Sequence, residues 1–416
     1  MEIAALLLLS LTILMVVVSP LGRLSPAAIL AGAWGVVYAL QSIFASDMVS
    51  SFVATISIFS ITLAFAAGEI IGCRGLTLQS TVIVSNTAAI SEESKFAKKF
   101  KKIVIFFGVL SIAGAMQYAY ALKLFEASSF ADLIILPGVA REQIFAGELD
   151  VPFVSRLGFL LSYSGVILAL SYYYFFKWHW YLALSMVAVL LLGMSQSGRA
   201  GILVVLLQVI IVTYFKNVLI FRKKASWFFL RKLLSPILLM FSIFFGGQFL
   251  REGFGAIDSE DLIRVLHSLR GYLFGGVSAY SSWIQDSYNM DSISFGRYSF
   301  SSLFAALGIY AQAPGIYDEY LSISSSGETS NVFTAYRSFI DDFSIVGACV
   351  FYFIAGITVG SIAFNFIRGK VNLILILIPV ISWLAFSPLA SLTYFNSFLL
   401  SCLLPFVLVR RLIKTS

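Results

Sequence analysis

Long apolar runs separated by short polar segments dominate this chain. A membrane-spanning helix needs roughly 20 mainly apolar residues, and eleven stretches meet that description. The predicted spans are 2–18, 27–45, 49–73, 103–122, 157–176, 181–196, 201–220, 233–250, 343–366, 371–390 and 395–409. The pattern predicts an all-α polytopic integral membrane protein with about 11 transmembrane helices, within a range of 10–12. The first run starts at Met1-Glu2 with no basic segment before it, so we interpret it as a span rather than a signal peptide.

Composition supports a membrane protein. Of 416 residues, 59% are hydrophobic and 12% are charged, and the mean hydropathy is +0.93. A soluble domain carries roughly 25% charged residues, so a water-soluble protein is excluded. The net charge of +7 indicates loop topology rather than a nucleic-acid surface. Cys73, Cys349 and Cys402 lie in apolar runs, which excludes a disulfide framework and a thiolate metal site.

The basic residues predict the sidedness of the chain. With Arg410 and Arg411 in the cytoplasm, the inner side holds 19 of the 28 basic residues, and its loops hold only two acids. The outer side then holds 18 of the 21 acids, and an odd number of spans places the N-terminus outside and the C-terminus in the cytoplasm. The remaining acid, Glu69, lies inside a span close to Arg74, and we expect these two residues to form an ion pair.

The predicted domain organisation is a single transmembrane domain, 1–416, with two long outer loops at 123–156 and 251–342. The second loop contains Trp283 and a helical pattern of apolar residues between Leu262 and Leu269. This pattern predicts an ordered outer subdomain with short helices lying against the membrane face.

Several chemistries lack their motifs. There is no Walker A or dinucleotide-binding glycine pattern, and no Asp-x-Asp pair of a metal-dependent sugar transferase. The first outer loop contributes only Asp47, and the two histidines fall on opposite sides of the predicted membrane. We therefore predict no metal and no cofactor.

Arginine dominates the outer basic residues. These are Arg141, Arg156, Arg199, Arg251, Arg264, Arg270, Arg297 and Arg337, with Lys123 as the single lysine. The planar guanidinium suits bidentate recognition of phosphate or carboxylate, which predicts anionic ligands on this face. The alternative is that these arginines form ordinary salt bridges with the outer acids. Arg199 lies at a span edge among small residues, where a charge is costly without a partner or a cavity.

A second candidate group follows helical spacing. Arg264, His267 and Arg270 are three residues apart, which on a helix places three potential cations on adjoining turns. Such a face can hold a diphosphate, and His267 is the outer side chain that titrates near neutral pH. The alternative for His267 is an ordinary surface or packing role.

The segment 331–347 reads Asn-Val-Phe-Thr-Ala-Tyr-Arg-Ser-Phe-Ile-Asp-Asp-Phe-Ser-Ile-Val-Gly. It resembles the end of the large periplasmic loop of Wzy-type O-antigen polymerases, where Asn-x-[Tyr/Phe]-Thr precedes Asp-Phe-Gly and a second Gly. Ser344 replaces the first Gly, and Gly347 matches the second. The segments 136–142, 198–201 and 272–280 are also similar to the family. O-antigen ligases share the outline but carry His-Asn where this chain has Ser330-Asn331, which favours a polymerase.

The resemblance implies an enzyme of the bacterial inner membrane. Members of the family join oligosaccharide units carried on undecaprenyl diphosphate at the periplasmic face, by transferring the growing chain en bloc to a new unit. It implies partners in the same pathway, a flippase and a chain-length regulator, besides membrane lipids, and no nucleic acid. The departing diphosphate needs cations, for which Arg199, Arg264 and Arg270 are the first candidates and Arg337 and Arg141 are further ones.

The acceptor hydroxyl needs a base. The candidates are Asp341, Asp342, Glu328 and His267. Two adjacent carboxylates cannot face the same way, so we expect one aspartate to cap the following helix and the other to face the site. We favour Asp342 as the base, with His267 as the rival; the alternative is that both aspartates only cap the helix and pair with Arg337. Two other functions remain open, a flippase for lipid-linked oligosaccharide and an O-antigen ligase.

Overall fold

The computed structural model describes residues 1–74, 94–121, 143, 151–195, 200–220, 242, 259–288, 293–310, 317 and 319–414. In these residues the fold consists of twelve α-helices and one two-stranded hairpin. The helices are α1 Glu2–Val18, α2 Pro26–Phe44, α3 Phe52–Arg74, α4 Lys95–Ala121, α5 Phe153–Phe175, α6 Ala183–Ser195, α7 Ala200–Phe215, α8 Ser259–Asp286, α9 Ser301–Ala306, α10 Ala335–Ile367, α11 Ile374–Phe386 and α12 Asn396–Lys414. The strands β1 Leu321–Ser322 and β2 Thr329–Ser330 pair antiparallel.

Seven of the described helices are long and apolar enough to cross a membrane: α2, α3, α4, α5, α7 with its π-helical extension Lys216–Ile220, α10 and α12. Three shorter apolar helices correspond to the predicted spans 2–18, 181–196 and 371–390. The prediction of an all-α chain with several apolar helices is therefore confirmed, and this is the architecture of a multi-pass membrane protein. The predicted span 233–250 lies outside the described residues, so the count of eleven stays a prediction.

The chain divides into two compact units. The first comprises Met1–Ile83, Leu266–Leu373 and Trp383–Asn396, and the second comprises Val84–Val265, Ile374–Ser382 and Ser397–Ser416. Both units are assembled from segments that are distant in the sequence. The first unit contains α1–α3, most of α8, α9, the hairpin and α10, and therefore every candidate site residue whose side chain is described.

Glu69 of α3 closes a buried turn between α1 and α2. Its Oε1 accepts hydrogen bonds of 2.7 Å from the hydroxyls of both Ser19 and Ser25, and its Oε2 accepts one of 2.7 Å from the backbone N–H of Ala27. Ser25 is also the N-cap of α2, with Pro26 following it. The expected ion pair with Arg74 is therefore wrong, because serine hydroxyls and a helix N-terminus satisfy the carboxyl group while Arg74 is exposed.

Glycines allow α3 and α10 to pack backbone against backbone. Gly68 and Gly72 of α3 lie against the backbone of α10 at Phe353 and Ile357. Gly356 and Gly360 of α10 lie against the backbone of α3 at Phe65 and Glu69, and both glycine pairs have a four-residue spacing. A Cβ at Gly360 would lie 2.7 Å from the carbonyl oxygen of Glu69, which is closer than side chains tolerate. Small residues at such positions are typical of tightly packed membrane helices.

The helical pattern predicted in the large outer loop is real, but its extent is different. Residues Ser259–Asp286 form one helix of 28 residues, α8, instead of several short ones. Its second half is buried, where Ser278 accepts a hydrogen bond from Gln41 of α2 and the Tyr280 hydroxyl lies 2.5 Å from that of Ser57 in α3. These polar contacts seat the helix among the apolar helices, so it does not simply lie on a membrane face.

The second unit relies on the same close packing. Gly114 of α4 and Gly158 of α5 approach so closely that a Cβ on one would lie 2.6 Å from the Cα of the other. At the end of α5, the ammonium group of Lys216 donates to the carbonyl oxygens of Tyr173 and Phe176. A cation at this position satisfies carbonyl groups that the end of a helix leaves without partners.

Candidate functional site

The side chain of Arg337 occupies a buried site formed by aromatic rings at the start of α10. Its Cζ lies 3.7 Å from the ring centroid of Tyr317, 3.8 Å from that of Phe333 and 4.7 Å from that of Trp283. A guanidinium group is attracted to ring faces at these distances. Two acids complete the group, Glu319 and Asp341, and we call these six residues the arginine box: Trp283, Tyr317, Glu319, Phe333, Arg337 and Asp341.

The polar contacts of the box are directional. Nη2 of Arg337 donates to Glu319, and Nε of Arg337 donates to Oδ2 of Asp341 at 3.4 Å. The hydroxyl of Tyr317 donates to the same oxygen at 2.7 Å. Burial and the neighbouring charge of Asp341 raise the pKa of Tyr317 well above its ordinary value, so this phenol remains a donor. Nη1 of Arg337 is buried and has no hydrogen-bond partner among the described residues.

The box is accessible along one edge. The side chain of Glu319 is 41% exposed and that of Asp341 is 17% exposed, whereas Arg337 is buried. Tyr298 stacks on Tyr317 with ring centroids 5.1 Å apart and an interplanar angle of 15°. A ligand that approaches this edge therefore meets carboxylate oxygens and a pair of stacked tyrosine rings.

Asp342 points away from Asp341, as two adjacent side chains on a helix must. Its carboxylate accepts hydrogen bonds from the backbone N–H groups of Tyr298 at 3.1 Å and Ser299 at 2.6 Å, and it is fully buried. Two further bonds, from Ser294 N to Asp341 O and from Phe295 N to Asp342 O, hold the same loop against the helix.

The expectation that one aspartate caps the helix that follows it is wrong. The residue preceding α10 is Thr334, and both aspartates lie inside the helix. Asp342 instead accepts the amides of a distant loop, and Asp341 pairs with Arg337. The helix bends shortly afterwards, at Ser344, whose φ of 63° and ψ of 173° are not helical. The structural alternative stated above holds only for Asp341, which pairs with Arg337, because neither aspartate caps the helix and Asp342 accepts backbone amides instead. The role of Asp342 as a base stays a prediction.

A second cluster joins three segments that the sequence predicts to lie on the outer side, and we call it the outer cluster: Asp47, His267, Arg270 and Glu328. Arg270 makes a bidentate pair with Asp47, at 2.8 Å for each bond, and a third bond of 3.1 Å to Glu328. Nδ1 of His267 lies 2.7 Å from Oε1 of Glu328. The loop after α2 also meets the hairpin directly, since Val49 N donates to Ile323 O.

The outer cluster is not a free cationic face. Burial tends to raise the pKa of Glu328, but the hydrogen bonds from His267 and Arg270 and the charge of Arg270 bring it below its ordinary value. Two carboxylates thus compensate Arg270, and the salt-bridge alternative describes this residue as it stands in the structure. A diphosphate would have to displace Asp47 or Glu328 to engage the guanidinium.

The other predicted site residues lie outside what the structure describes. Arg199 and Arg141 belong to segments that are not described, and Arg264 lies on α8 with a side chain that is not described. The structure brings His267 and Arg270 together in the outer cluster, and it places Arg337 and Asp342 on the same turns of α10. Their roles in substrate binding and catalysis stay predictions.

Sequence reasoning missed most of the arginine box. Tyr317 and Glu319 were not singled out, Phe333 entered only as the aromatic position of the family-like segment, and Trp283 served only as a sign of an ordered loop. The sequence contained one signal for this group: Tyr317 and Glu319 lie shortly before the 331–347 segment, so the chain can fold back and bring them to Arg337. Trp283 carried no such signal, since it lies on another helix and comes close only in the tertiary fold.

The apolar helices indicate a multi-pass membrane protein, and the two polar clusters add one buried arginine, Arg337, and one partly exposed arginine, Arg270, each paired with two acids. Comparison with protein-family models, curated proteins and solved structures gave no match for this chain.

Proposed function

We propose that this protein is a polysaccharide polymerase of the Wzy type in a bacterial inner membrane. In this proposal it joins oligosaccharide units carried on undecaprenyl diphosphate at the periplasmic face. The observation that carries the proposal is the arginine box, a desolvated guanidinium group held between aromatic rings, with two carboxylates, immediately before the apolar part of α10. A buried guanidinium among aromatic rings, with a carboxylate at an exposed edge, suits a ligand that combines sugar rings with a lipid carrier.

The proposed reaction is a glycosyl transfer without a metal. The bond between the anomeric carbon of the donor and the diphosphate oxygen breaks, and a bond forms between that carbon and the acceptor hydroxyl oxygen. The acceptor proton passes to a base, Asp342 or His267, and the lipid diphosphate leaves with both bonding electrons. Arginines stabilise the charge that develops on the diphosphate, and Arg199, Arg264, Arg270 and Arg141 are the proposed contacts.

The bases are tested by two isosteric changes, Asp342→Asn and His267→Gln, at matched protein level. Asparagine can accept the amides of Tyr298 and Ser299 through its oxygen but cannot take a proton. We expect short or absent polymer for Asp342→Asn and near-normal polymer for His267→Gln. The reverse result transfers the role to the histidine. Normal polymer from both variants removes both residues from catalysis.

A glycan ladder assay in a strain lacking this chain tests the whole proposal. Loss of a polymerase leaves lipopolysaccharide capped with single units. Loss of a ligase leaves no capped lipopolysaccharide and polymer still on the carrier, and loss of a flippase leaves single units on the cytoplasmic side. Complementation with Arg199→Lys keeps the charge but loses the planar fork, so we expect polymer to fall sharply. Normal polymer from Arg199→Ala would remove that residue from the site.

A further inference from the structure

The arginine box carries more negative than positive charge. Its single cation, Arg337, already donates to both Glu319 and Asp341. Among the described residues, including the neighbouring Asp342 and Arg297, whose Cζ lies 5.9 Å from the ring centroid of Tyr298, gives two cations against three carboxylates. A diphosphate placed at this edge would face carboxylate oxygens, and like charges at close range disfavour binding.

The same edge offers what a neutral sugar needs. Glu319 and Asp341, whose side chains are 41% and 17% exposed, supply acceptors for sugar hydroxyls. The half-buried ring of Tyr298, which stacks on Tyr317, provides an apolar surface for the face of a pyranose ring. A site with convergent polar groups beside aromatic walls is typical of small-molecule recognition.

From these observations we infer that the arginine box binds uncharged sugar residues of the lipid-linked oligosaccharide, and that the diphosphate of the carrier binds elsewhere. The inference rests on the proposed function for the identity of the ligand. It moves Arg337 from the phosphate contacts to the sugar contacts. Charge then explains why the box selects one end of the substrate: a site that repels the diphosphate of the carrier accepts only the saccharide end.

The variant Glu319→Gln tests this assignment. Glu319 is the most exposed acid of the box, so the substitution removes a charge without opening a buried cavity. The matched control is Asp286→Asn, an exposed outer acid at the end of α8 that is not part of the box. The probes are the repeat-unit oligosaccharide, released from the host's own lipid-linked pool by mild acid, and inorganic diphosphate. Binding is measured by calorimetry on the full-length chain in detergent micelles, with thermal unfolding as the check on folding.

We expect the wild-type chain to bind the oligosaccharide and inorganic diphosphate not to compete with it. A hydrogen bond to a charged group contributes enough for Glu319→Gln to weaken sugar binding about tenfold. Asp286→Asn should leave it unchanged. A second variant, Tyr298→Ala, removes the outer stacked ring and should also weaken sugar binding several-fold, whereas diphosphate binding stays the same in every variant.

Three results would overturn the inference: no binding of the oligosaccharide by the wild-type chain, competition by inorganic diphosphate, or unchanged sugar affinity in both Glu319→Gln and Tyr298→Ala. The glycan ladder distinguishes this failure from failure of the proposed function. Normal polymer in a strain that lacks the chain refutes the function. Polymer that depends on the chain, combined with unchanged sugar binding in both variants, refutes only the assignment of the box.

Discussion

Ser344 stands in a backbone conformation that L-residues rarely adopt. Its φ of 63° and ψ of 173° bend α10 just after the two aspartates. The family that segment 331–347 resembles carries glycine at the matching position, and glycine adopts this conformation without a steric penalty. Glycine is therefore the residue expected to relieve the backbone strain at position 344.

We expect Ser344→Gly to stabilise the protein by about 1 kcal/mol, because it relieves a strain of that order. A weak 3.4 Å bond from Gly347 N to the Ser344 hydroxyl is lost and offsets part of the gain. Thermal unfolding in detergent gives the measurement. The control is Ser344→Ala, which keeps the strain and loses the hydroxyl, and it should unfold at or below the wild-type temperature. A lower unfolding temperature for Ser344→Gly than for Ser344→Ala would contradict this reading.

Replacing Glu69 should, in contrast, lower the stability of the protein. An amide in place of the carboxyl group directs N–H groups at Ser19, Ser25 or Ala27, so at least one buried donor loses its acceptor. Leaving one such group unsatisfied costs about 2 kcal/mol. Glu69→Gln should unfold at a clearly lower temperature, whereas Glu2→Gln, at an exposed position, should match the wild type. Equal stability of the two variants would show that these buried bonds contribute little.

At the residue level, the sequence predicted the important charged residues more accurately than it predicted the partners of those residues. The divergence of Asp341 and Asp342 follows from helix geometry alone and is observed. The partners of Glu69 and Arg270 were missed, because they come from segments that are distant in the sequence. A pattern of charges along the chain does not specify which acid will reach which arginine in three dimensions.

At the level of elements, the contact between α3 and α10 depends on four glycines. Gly356→Ala should destabilise the first unit by about 2 kcal/mol or more, because overpacking here forces two backbones apart. Gly271→Ala on α8 is the matched control, since a Cβ there meets nothing within 4 Å. Alanine should be neutral or slightly stabilising at that position. Unfolding followed by tryptophan fluorescence compares the two, and equal midpoints would argue against tight packing at Gly356.

The helices themselves were largely predictable, because apolar runs near 20 residues have few other structures available to them. Ten of the eleven predicted spans correspond to described apolar helices. The boundaries were less accurate where polar residues continue a helix. Residues 335–342 belong to α10 although they include Arg337, Asp341 and Asp342, since tertiary contacts compensate these charges. Polar residues also continue the 28-residue α8, so the sequence predicted only a short helical pattern there.

Across the whole molecule, the outer cluster links the loop after α2 to the hairpin and α8. Since the pKa of Glu328 is lowered in the folded protein, its contribution to stability is present above the ordinary pKa of a glutamate. It is lost as the pH falls through the lowered value in the folded state. The wild type should therefore unfold at a higher temperature than Glu328→Gln near neutral pH, and the difference should vanish near pH 3. A difference that persists in acid would assign the effect to packing instead.

The predicted sidedness is a second property of the whole chain. Asp47, Arg270 and Glu328 meet in one cluster, in agreement with their common placement on the outer side. Single cysteines at Ser287 and Ser91, in a background without the three native cysteines, test it with a membrane-impermeant maleimide. We expect labelling of intact cells at position 287 only. Labelling at position 91 from outside would reverse the orientation.

The pairing of α3 with α10 also bears on how the chain is made. The ribosome begins α10 about 260 residues after it completes α3, and at typical rates this interval is on the order of tens of seconds. During that time the groove at Gly68 and Gly72 has no partner from its own unit, while all of α4–α7 enters the membrane. Although α3 is among the first helices to be synthesised, its packing against α10 is therefore among the last contacts to form. A nascent chain that is stopped before Ala335 therefore lacks the helix that covers these glycines, and its first unit stays incomplete.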